Sequence, residues 1–245
     1  MNDQPPKPFQ FSVRGLLVFM AVISVVCFVL SLLVQVVRQV REKERSHYCI
    51  NNLKEIGYAL SSYHEFYSSF PPPITADSNG TPLHSWRLTI LPFIEDTGLD
   101  DRYVYTLPWN HRNNLAVSSS YQHFICPSAR NPKGSGFTNY VMVVGQERRD
   151  TSSQTQDHPD SIIVVEIANS DIHWTEPRDL NFDEMSFKIN DKTKPSISSH
   201  HVHGAMVLYA DGSVHFLDES ADPEELKKLL TENLEGASGR GKKSE

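Results

Sequence analysis

A long uncharged segment near the amino terminus constrains this chain more than any other feature. Residues 15–37 contain no charged side chain, and their only strongly polar members are Ser24, Ser31 and Gln35. With a rise of about 1.5 Å per residue, a helix of this length crosses a hydrocarbon core of roughly 30 Å. The segment is longer than a usual signal-peptide core, and no small-x-small cleavage pattern follows it. We therefore predict a retained transmembrane helix over residues 15–37, after a short leader over residues 1–14.

The helical pattern continues past this apolar segment. A charged stretch over residues 38–45 follows with no glycine or proline to interrupt it. Apolar residues then recur at alternating spacings of four and three, which places them on one face of a helix: Cys49, Leu53, Ile56, Leu60, Tyr63 and Tyr67. Pro71, Pro72 and Pro73 end the pattern. Residues 38–67 are thus predicted to continue the transmembrane helix as an amphipathic spine for a folded domain.

Charge is divided unevenly along the chain and limits its partners. The first 45 residues carry six Lys or Arg and three Asp or Glu, whereas the remainder carries 17 against 27. A domain this acidic is a poor nucleic-acid binder. The partner expected from these patterns is the lipid bilayer, and no nucleic acid is expected.

Three cysteines occur, and none belongs to a C-x-x-C zinc motif. Cys27 lies in the apolar segment, which leaves Cys49 and Cys126 to pair in an oxidising compartment. Cys49 lies on the apolar face of the spine, and Cys126 ends an apolar run predicted to approach that face. A disulfide between them is our prediction, and two buried thiols in a reduced core are the alternative.

Short runs of β-branched residues predict strands in the domain. Residues 140–144 and 162–167 have this character, and the largely apolar residues 86–94 also suggest a strand. Asp211 and Gly212 lie between two apolar runs, which predicts a β-hairpin with a type I′ turn and positive φ at both residues.

The end of the chain has a simpler pattern. Asp222 and Pro223 are typical of a helix start, and leucines follow at helical spacing, so we predict a carboxyl-terminal helix over residues 218–236. Residues 237–245 are small and charged, which favours disorder.

Several short motifs, in this order, resemble the DUF1559 family, which is abundant in planctomycete bacteria. They occupy residues 49–60, 63–64, 70–72, 85–87, 91–95, 108–110, 124–128, 138–140 and 174–180, and end with His201 followed after nine residues by Asp211 and Gly212. Asn51, Asn52 and Trp109 belong to these motifs. The resemblance covers about residues 46–217, which we take as the globular domain.

The resemblance implies an architecture and no chemistry. Members of this family resemble type IV pilins and type II secretion pseudopilins, in which a long amino-terminal helix is half membrane anchor and half spine for an antiparallel sheet. The resemblance thus implies an α+β fold, a single span of the inner membrane and an extracytoplasmic domain. It also implies protein partners in the cell envelope or in a secretion-type assembly, and it supplies no catalytic residues.

The amino terminus departs from the pilin-like pattern. Family members commonly begin Gly-Phe-Thr-Leu-Val-Glu, and the peptidase cuts after that glycine. Here Gln10 and Phe11 stand at the cleavage position, and Gly15 replaces the glutamate. We therefore expect the chain to remain uncut at Phe11, and the resemblance does not imply filament assembly.

Histidines near the hairpin are candidate metal ligands. Neutral imidazoles of His200, His201 and His203 are suitable zinc ligands, with Asp211 or Glu166 as an added oxygen ligand. The chain has no H-E-x-x-H or other established metal spacing. A structural hydrogen bond is the preferred role for His201, and we expect no metal or other cofactor.

Three hypotheses for function remain. Preferred is a non-enzymatic, membrane-anchored, pseudopilin-like structural or interaction protein of the cell envelope. The alternative is an anchored sensory or glycan-binding domain with Trp86, Trp109 and Trp174 as a sugar platform, although tryptophans are more often packed in the core. Third is a metal-dependent hydrolase, for which the sequence offers no catalytic residue and no G-x-S-x-G motif.

Overall fold

The computed structural model describes residues 13–94, 99, 102–118, 123–129, 134–145 and 161–231. The chain divides into two compact units, Met1–Glu44 and Arg45–Glu245. The residues at the expected cleavage position, Gln10 and Phe11, lie outside the described residues. So does the tail over residues 237–245, for which we predicted disorder.

In the first unit, the described residues form the start of helix α1 (Val13–Tyr67). Residues 13–41 are all exposed, and no part of the most apolar window of α1 is buried. Within the described ranges, α1 is the one helix long and apolar enough to cross a membrane. By length and composition, it meets the requirements of a membrane anchor and also those of a signal sequence.

In the second unit, α1 packs on the core along the predicted face. Cys49, Leu53, Ile56 and Leu60 are fully buried. Tyr63 is half-buried, and Tyr67 is exposed; their rings contact each other with centroids 4.5 Å apart. The apolar face therefore leaves the core in the last turns of the helix.

A five-stranded sheet forms the centre of the second unit. Its strands are β3 (Tyr140–Val144), β4 (Ile162–Glu166), β5 (Leu180–Asn181), β6 (Gly204–Tyr209) and β7 (Val214–Asp218). Their order across the sheet is β5-β3-β4-β6-β7. All pairings are antiparallel except that of β3 with β5, which is parallel. The fold is α+β, as predicted.

Both faces of this sheet are covered. Because side chains alternate along a strand, Tyr140 and Met142 join the core that contains α1, whereas Val141 and Val143 face the opposite core. Helix α4 (Pro223–Thr231) contributes Leu226 and Leu230 to that second core. The central strands are consequently apolar on both faces, which explains their continuous β-branched runs.

Smaller elements precede the sheet. A two-stranded sheet pairs β1 (Ile74–Ala76) with β2 (Pro82–Ser85), and α3 (Arg112–Ser118) follows later. Between them lie α2 (Trp86–Thr89) and a 3₁₀ turn (Leu91–Phe93).

The prediction of a strand over residues 86–94 was therefore wrong. The Ser85 side chain accepts a hydrogen bond from the backbone N–H of Arg87 and caps α2, and Pro92 favours the turn that follows. The apolar content was detected correctly, but a short buried helix has the same composition as a buried strand.

The β6–β7 hairpin forms with a different turn from the one predicted. Gly212 has a φ of 84°, whereas Asp211 is absent from the described non-glycine residues with positive φ. A type I′ turn needs positive φ at both positions, so that prediction was wrong. The backbone N–H of Gly212 donates to Tyr209, and Tyr209 pairs with Ser213, which closes a three-residue loop with glycine in the left-handed conformation.

The carboxyl-terminal helix is shorter than predicted at its start. Residue Asp218 ends β7, and α4 begins only at Pro223. The Asp222 side chain accepts the backbone N–H of Glu224 and caps the helix. Described residues end at 231, so the predicted extension to residue 236 lies outside them.

Replacing Gly212 by Val should lower the free energy of unfolding by about 1 kcal/mol or more, because a β-branched residue is disfavoured at positive φ. A Cβ atom at Gly212 meets nothing within 4 Å, so the expected loss comes from backbone strain and not from a clash at Cβ. Urea unfolding followed by tryptophan fluorescence measures this change. Gly212→Asn is the matched control and should lose less, since Asn tolerates this conformation. Equal stability of wild type and Gly212→Val would contradict the assigned turn.

Candidate functional site

Four buried side chains from distant parts of the chain meet between α1 and the sheet. Cys49 lies on α1, Cys126 in the segment before β3, Glu166 at the end of β4 and His201 just before β6. One potential ligand atom from each lies within 4.8 Å of the others. Their exposed fractions are only 0%, 4%, 1% and 6%. We call these four residues the cysteine–histidine–glutamate cluster.

The two cysteines of the cluster form a disulfide in the structure, with Cα atoms 5.4 Å apart. The bond joins residues 77 positions apart in sequence and ties α1 to the segment that precedes the sheet. In the chain-entropy model, closing a loop of this length stabilises the fold by roughly 4 kcal/mol. Cys27 is the free cysteine among the described residues, and it is exposed on the apolar part of α1.

His201 lies between a sulfur atom and a carboxylate. Its Nε2 is 3.4 Å from Cys126 Sγ and 3.7 Å from Glu166 Oε1, and its Nδ1 is 3.5 Å from Ser128 Oγ. The backbone N–H of Met206 donates to Glu166 Oε2 at 2.7 Å, which fixes the carboxylate against the neighbouring strand. The sheet thus holds the carboxylate beside the imidazole and the disulfide.

Two asparagines fix the backbone around Cys126. Asn52 on α1 donates from its side chain to the carbonyl oxygen of Ile125 at 3.0 Å. Asn139 accepts the backbone N–H of Cys126 and donates to the carbonyl oxygen of Ile167. Asn51, the other asparagine of this motif, is exposed on α1. Asn52 and Asn139 therefore give the cluster a rigid frame.

The other histidine-motif residues lie outside this cluster. His200 contacts the Asn169 side chain, and His203 is an exposed residue with a φ of 69°. Asp211 accepts the backbone N–H of Ser213 in the hairpin loop, and hydrogen bonds from Ser213 lower the pKa of its carboxyl. Of the histidines and acidic groups proposed as ligands from sequence, the structure brings together only His201 and Glu166, and it adds the two cysteines.

The tryptophans form no shared platform. Trp86 and Trp174 are 0% and 1% exposed, and both pack against Phe124. Trp109 is half-buried and stacks on His173 with ring centroids 5.6 Å apart. Two of the three rings are therefore inaccessible to a sugar.

The structure contains a buried ion pair that no sequence pattern predicted. Arg87 Nη2 lies 2.5 Å from Asp179 Oδ1, and both side chains are almost fully buried. Asp179 Oδ1 also accepts from the Trp86 indole and the Met142 backbone N–H. Both residues lie inside recognised motifs, but their positions, 92 apart, give no signal in sequence that they meet. This network connects α2, the segment before β5, and β3.

His173 is buried without a charged partner strong enough to offset the loss of solvation. Burial lowers the pKa of its imidazole to about 4, and the negative charge of Glu176 opposes the shift only in part. The Nδ1 atom is 2.8 Å from Thr175 Oγ1. A Cβ atom on Gly136 would collide with the ring, so the neutral imidazole fills its site closely.

This shift predicts a loss of stability in mild acid. Because the folded-state pKa of His173 is about 4, below the ordinary value near 6.5, the unfolded chain binds more protons between these two pH values. Stability should fall as the pH drops through this window, by about 2–3 kcal/mol from this residue. His173→Gln should reduce the difference in unfolding free energy between about pH 7.5 and about pH 4.5.

The exposed Val202 offers a matched control. Val202→Gln introduces the same side chain without removing an imidazole and should leave the acid dependence unchanged. All three tryptophans lie in the second unit, so their fluorescence reports the unfolding of that unit. The prediction would be contradicted if His173→Gln kept the full acid dependence of wild type.

Comparison with known proteins identifies the family. A family model described as a protein of unknown function (DUF1559) matches residues 38–162 and 145–224. No curated protein and no solved structure matches the chain. The matched region contains the cysteine–histidine–glutamate cluster, the whole five-stranded sheet and most of the second unit. Since the match covers well over half of its length, the chain belongs to the DUF1559 family.

Proposed function

We propose that this chain is a membrane-anchored, pseudopilin-like structural or interaction protein of the cell envelope, without enzymatic activity. The observation that carries the proposal is α1 itself. One uninterrupted helix begins as an entirely unburied apolar segment and ends as a buried element of a folded core. An apolar segment of this kind is stable in a bilayer, and its direct continuation roots the folded unit there.

The cysteines favour an extracytoplasmic position for the folded unit. A disulfide that joins α1 to the sheet region is typical of an oxidising compartment. Four basic residues follow the span, and by the positive-inside rule they would favour a cytoplasmic position for the folded unit: Arg38, Arg41, Lys43 and Arg45. Long domains, however, cross membranes largely regardless of charge. We infer a single span of the inner membrane with the amino terminus inside.

An exposed group of aromatic side chains supports an interaction role. Tyr63, Phe66, Tyr67 and Phe93 contact one another at the end of α1, and we call them the aromatic patch. Phe66 is 73% exposed and Tyr67 is 54% exposed. Clustered exposed aromatics are enriched at protein interfaces and are uncommon on surfaces that contact only water. The patch lies within the second unit.

The rival hypotheses have less support. A glycan platform built from Trp86 and Trp174 is incompatible with their burial. A hydrolase needs an accessible reacting group, whereas the members of the cysteine–histidine–glutamate cluster are at most 6% exposed. The structural role is therefore preferred.

Topology provides the first test. Protease added outside intact spheroplasts should digest the folded unit, and the chain should remain in the membrane fraction after alkaline extraction. Alkylation of that chain without reductant should yield a linked peptide pair containing Cys49 and Cys126. Ile23→Arg with Val26→Arg should release the chain from the membrane fraction, since each charge at the centre of a span costs about 2.5–3.5 kcal/mol.

Tyr58→Arg is the control for this test, because Tyr58 is 75% exposed in the second unit and the added charge lies outside the span. It should leave the chain in the membrane. Digestion of the folded unit only after lysis would refute the outward topology, and extraction of the wild-type chain by alkali would refute the anchor.

Interaction through the aromatic patch provides the second test. Crosslinking in intact cells should produce discrete adducts of the wild-type chain that Phe66→Ser with Tyr67→Ser removes, because these side chains supply exposed apolar area. Tyr48→Ser is the matched control, since Tyr48 is 61% exposed on the same helix but outside the patch. Identical adduct patterns for all three chains would contradict a role for the patch.

A further inference from the structure

We propose that the cysteine–histidine–glutamate cluster is a redox-controlled zinc site: its reduced form binds Zn²⁺ through Cys49, Cys126, His201 and Glu166, and formation of the disulfide releases the metal. This inference is independent of the proposed pseudopilin-like role. It concerns a chemical state of the second unit that differs from the disulfide-bonded state in the structure.

The donor set suits zinc. Two thiolates, one imidazole nitrogen and one carboxylate oxygen make four ligands of the types that Zn²⁺ accepts in tetrahedral sites. Thiolate ligands also disfavour Mg²⁺ and Ca²⁺, which bind oxygen atoms. With two thiolates and one carboxylate around Zn²⁺, the site would carry a net charge of about −1. The backbone N–H that donates to Glu166 offsets part of this negative charge.

The geometry also suits zinc. In a tetrahedral site, bond lengths of about 2.0–2.3 Å place neighbouring ligand atoms about 3.3–3.8 Å apart. The Nε2 atom of His201 is already 3.4 Å from Cys126 Sγ and 3.7 Å from Glu166 Oε1. All four ligand atoms lie within 4.8 Å of one another. After reduction, the two sulfur atoms must move apart, and any pair of ligand atoms near 4.8 Å must close, to reach the spacing that a shared metal ion requires.

The surrounding structure holds the ligands as the outer shell of a metal site does. The backbone N–H of Met206 orients Glu166, and Asn139 holds the backbone at Cys126. Such outer contacts orient ligands and raise metal affinity. Cys126 and Glu166 also line a small depression together with Ser198 and Ser199.

The redox step is a thiol–disulfide exchange with a dithiol reductant. The sulfur–sulfur bond between Cys49 and Cys126 breaks, a disulfide forms in the reductant, and two electrons and two protons pass to the cysteines. Zinc binding then displaces both thiol protons. Oxidation by a disulfide oxidant reverses the exchange and releases the ion, because a sulfur atom in a disulfide is no longer a thiolate ligand.

Zinc binding by the full-length, detergent-solubilised chain tests this proposal. The chain is reduced anaerobically with a phosphine, equilibrated with Zn²⁺, freed of unbound metal and analysed for zinc. The reduced chain should retain close to one equivalent of zinc, whereas the oxidised chain should retain almost none. Cys49→Ser and His201→Ala should weaken zinc binding by more than about 100-fold, beyond the loss expected for an outer-shell contact.

His200→Ala is the matched control, because His200 is adjacent in sequence and lies outside the cluster. It should bind zinc as wild type does. Cobalt substitution of the reduced wild-type chain provides a readout that does not depend on whether the variants fold. The cobalt form should show thiolate charge-transfer absorption and the strong visible bands of a tetrahedral site.

Three results would overturn the proposal. One is zinc retention by the reduced wild-type chain no greater than that of Cys49→Ser. Another is equal zinc retention by the reduced and oxidised chains, which would place the metal elsewhere. The third is a cobalt spectrum without thiolate absorption.

Discussion

The burial of one face of α1 against the sheet is the contact on which the second unit depends. Leu53, Ile56 and Leu60 are fully buried there, and burial of each such side chain is worth about 1.5–3 kcal/mol. Gly57 allows the helix to lie close to β6, because a Cβ atom at this position would come within 3.1 Å of Leu208. The helix thereby covers one side of the core, and without the helix the apolar residues of the core would be exposed to water.

The same helix has to be stable in two environments, a lipid bilayer and the packed core of a folded unit. Its first part, over residues 15–37, has no buried surface and no charge, so its favourable environment is lipid. Its last part is amphipathic: the face toward the sheet is buried and apolar, and Tyr48, Tyr58 and Phe66 lie exposed outside that face. Because all backbone groups in a helix interior bond within the helix, one element tolerates both environments without a break. The charged residues 38–45 mark the change between them.

Polar groups in the core are placed where elements join. The disulfide of Cys49 and Cys126 ties α1 to the segment before β3, and the ion pair of Arg87 and Asp179 ties α2 to the segment before β5. A buried ion pair adds little net stability, but loss of one partner leaves a buried charge and costs about 3–5 kcal/mol. These groups specify which segments meet, while apolar burial supplies most of the stability. The cysteine–histidine–glutamate cluster adds chemistry that depends on the oxidation state of its sulfur atoms.

Local sequence patterns were enough to predict the periodic features: the long helix, the strands over residues 140–144 and 162–167, and the hairpin at Gly212. These follow from local hydrophobic spacing and from the backbone freedom of glycine, which act over a few residues. That residues 86–94 form helical turns became clear from the fold alone, because a short buried helix and a buried strand have the same composition. The full set of residues in the cysteine–histidine–glutamate cluster also became clear only from the fold. Glu166 and His201 come from separate segments, and no spacing rule predicts that β4 and the segment before β6 both reach a cysteine of α1. Contacts between distant segments depend on the packing of the whole core, which local spacing does not encode.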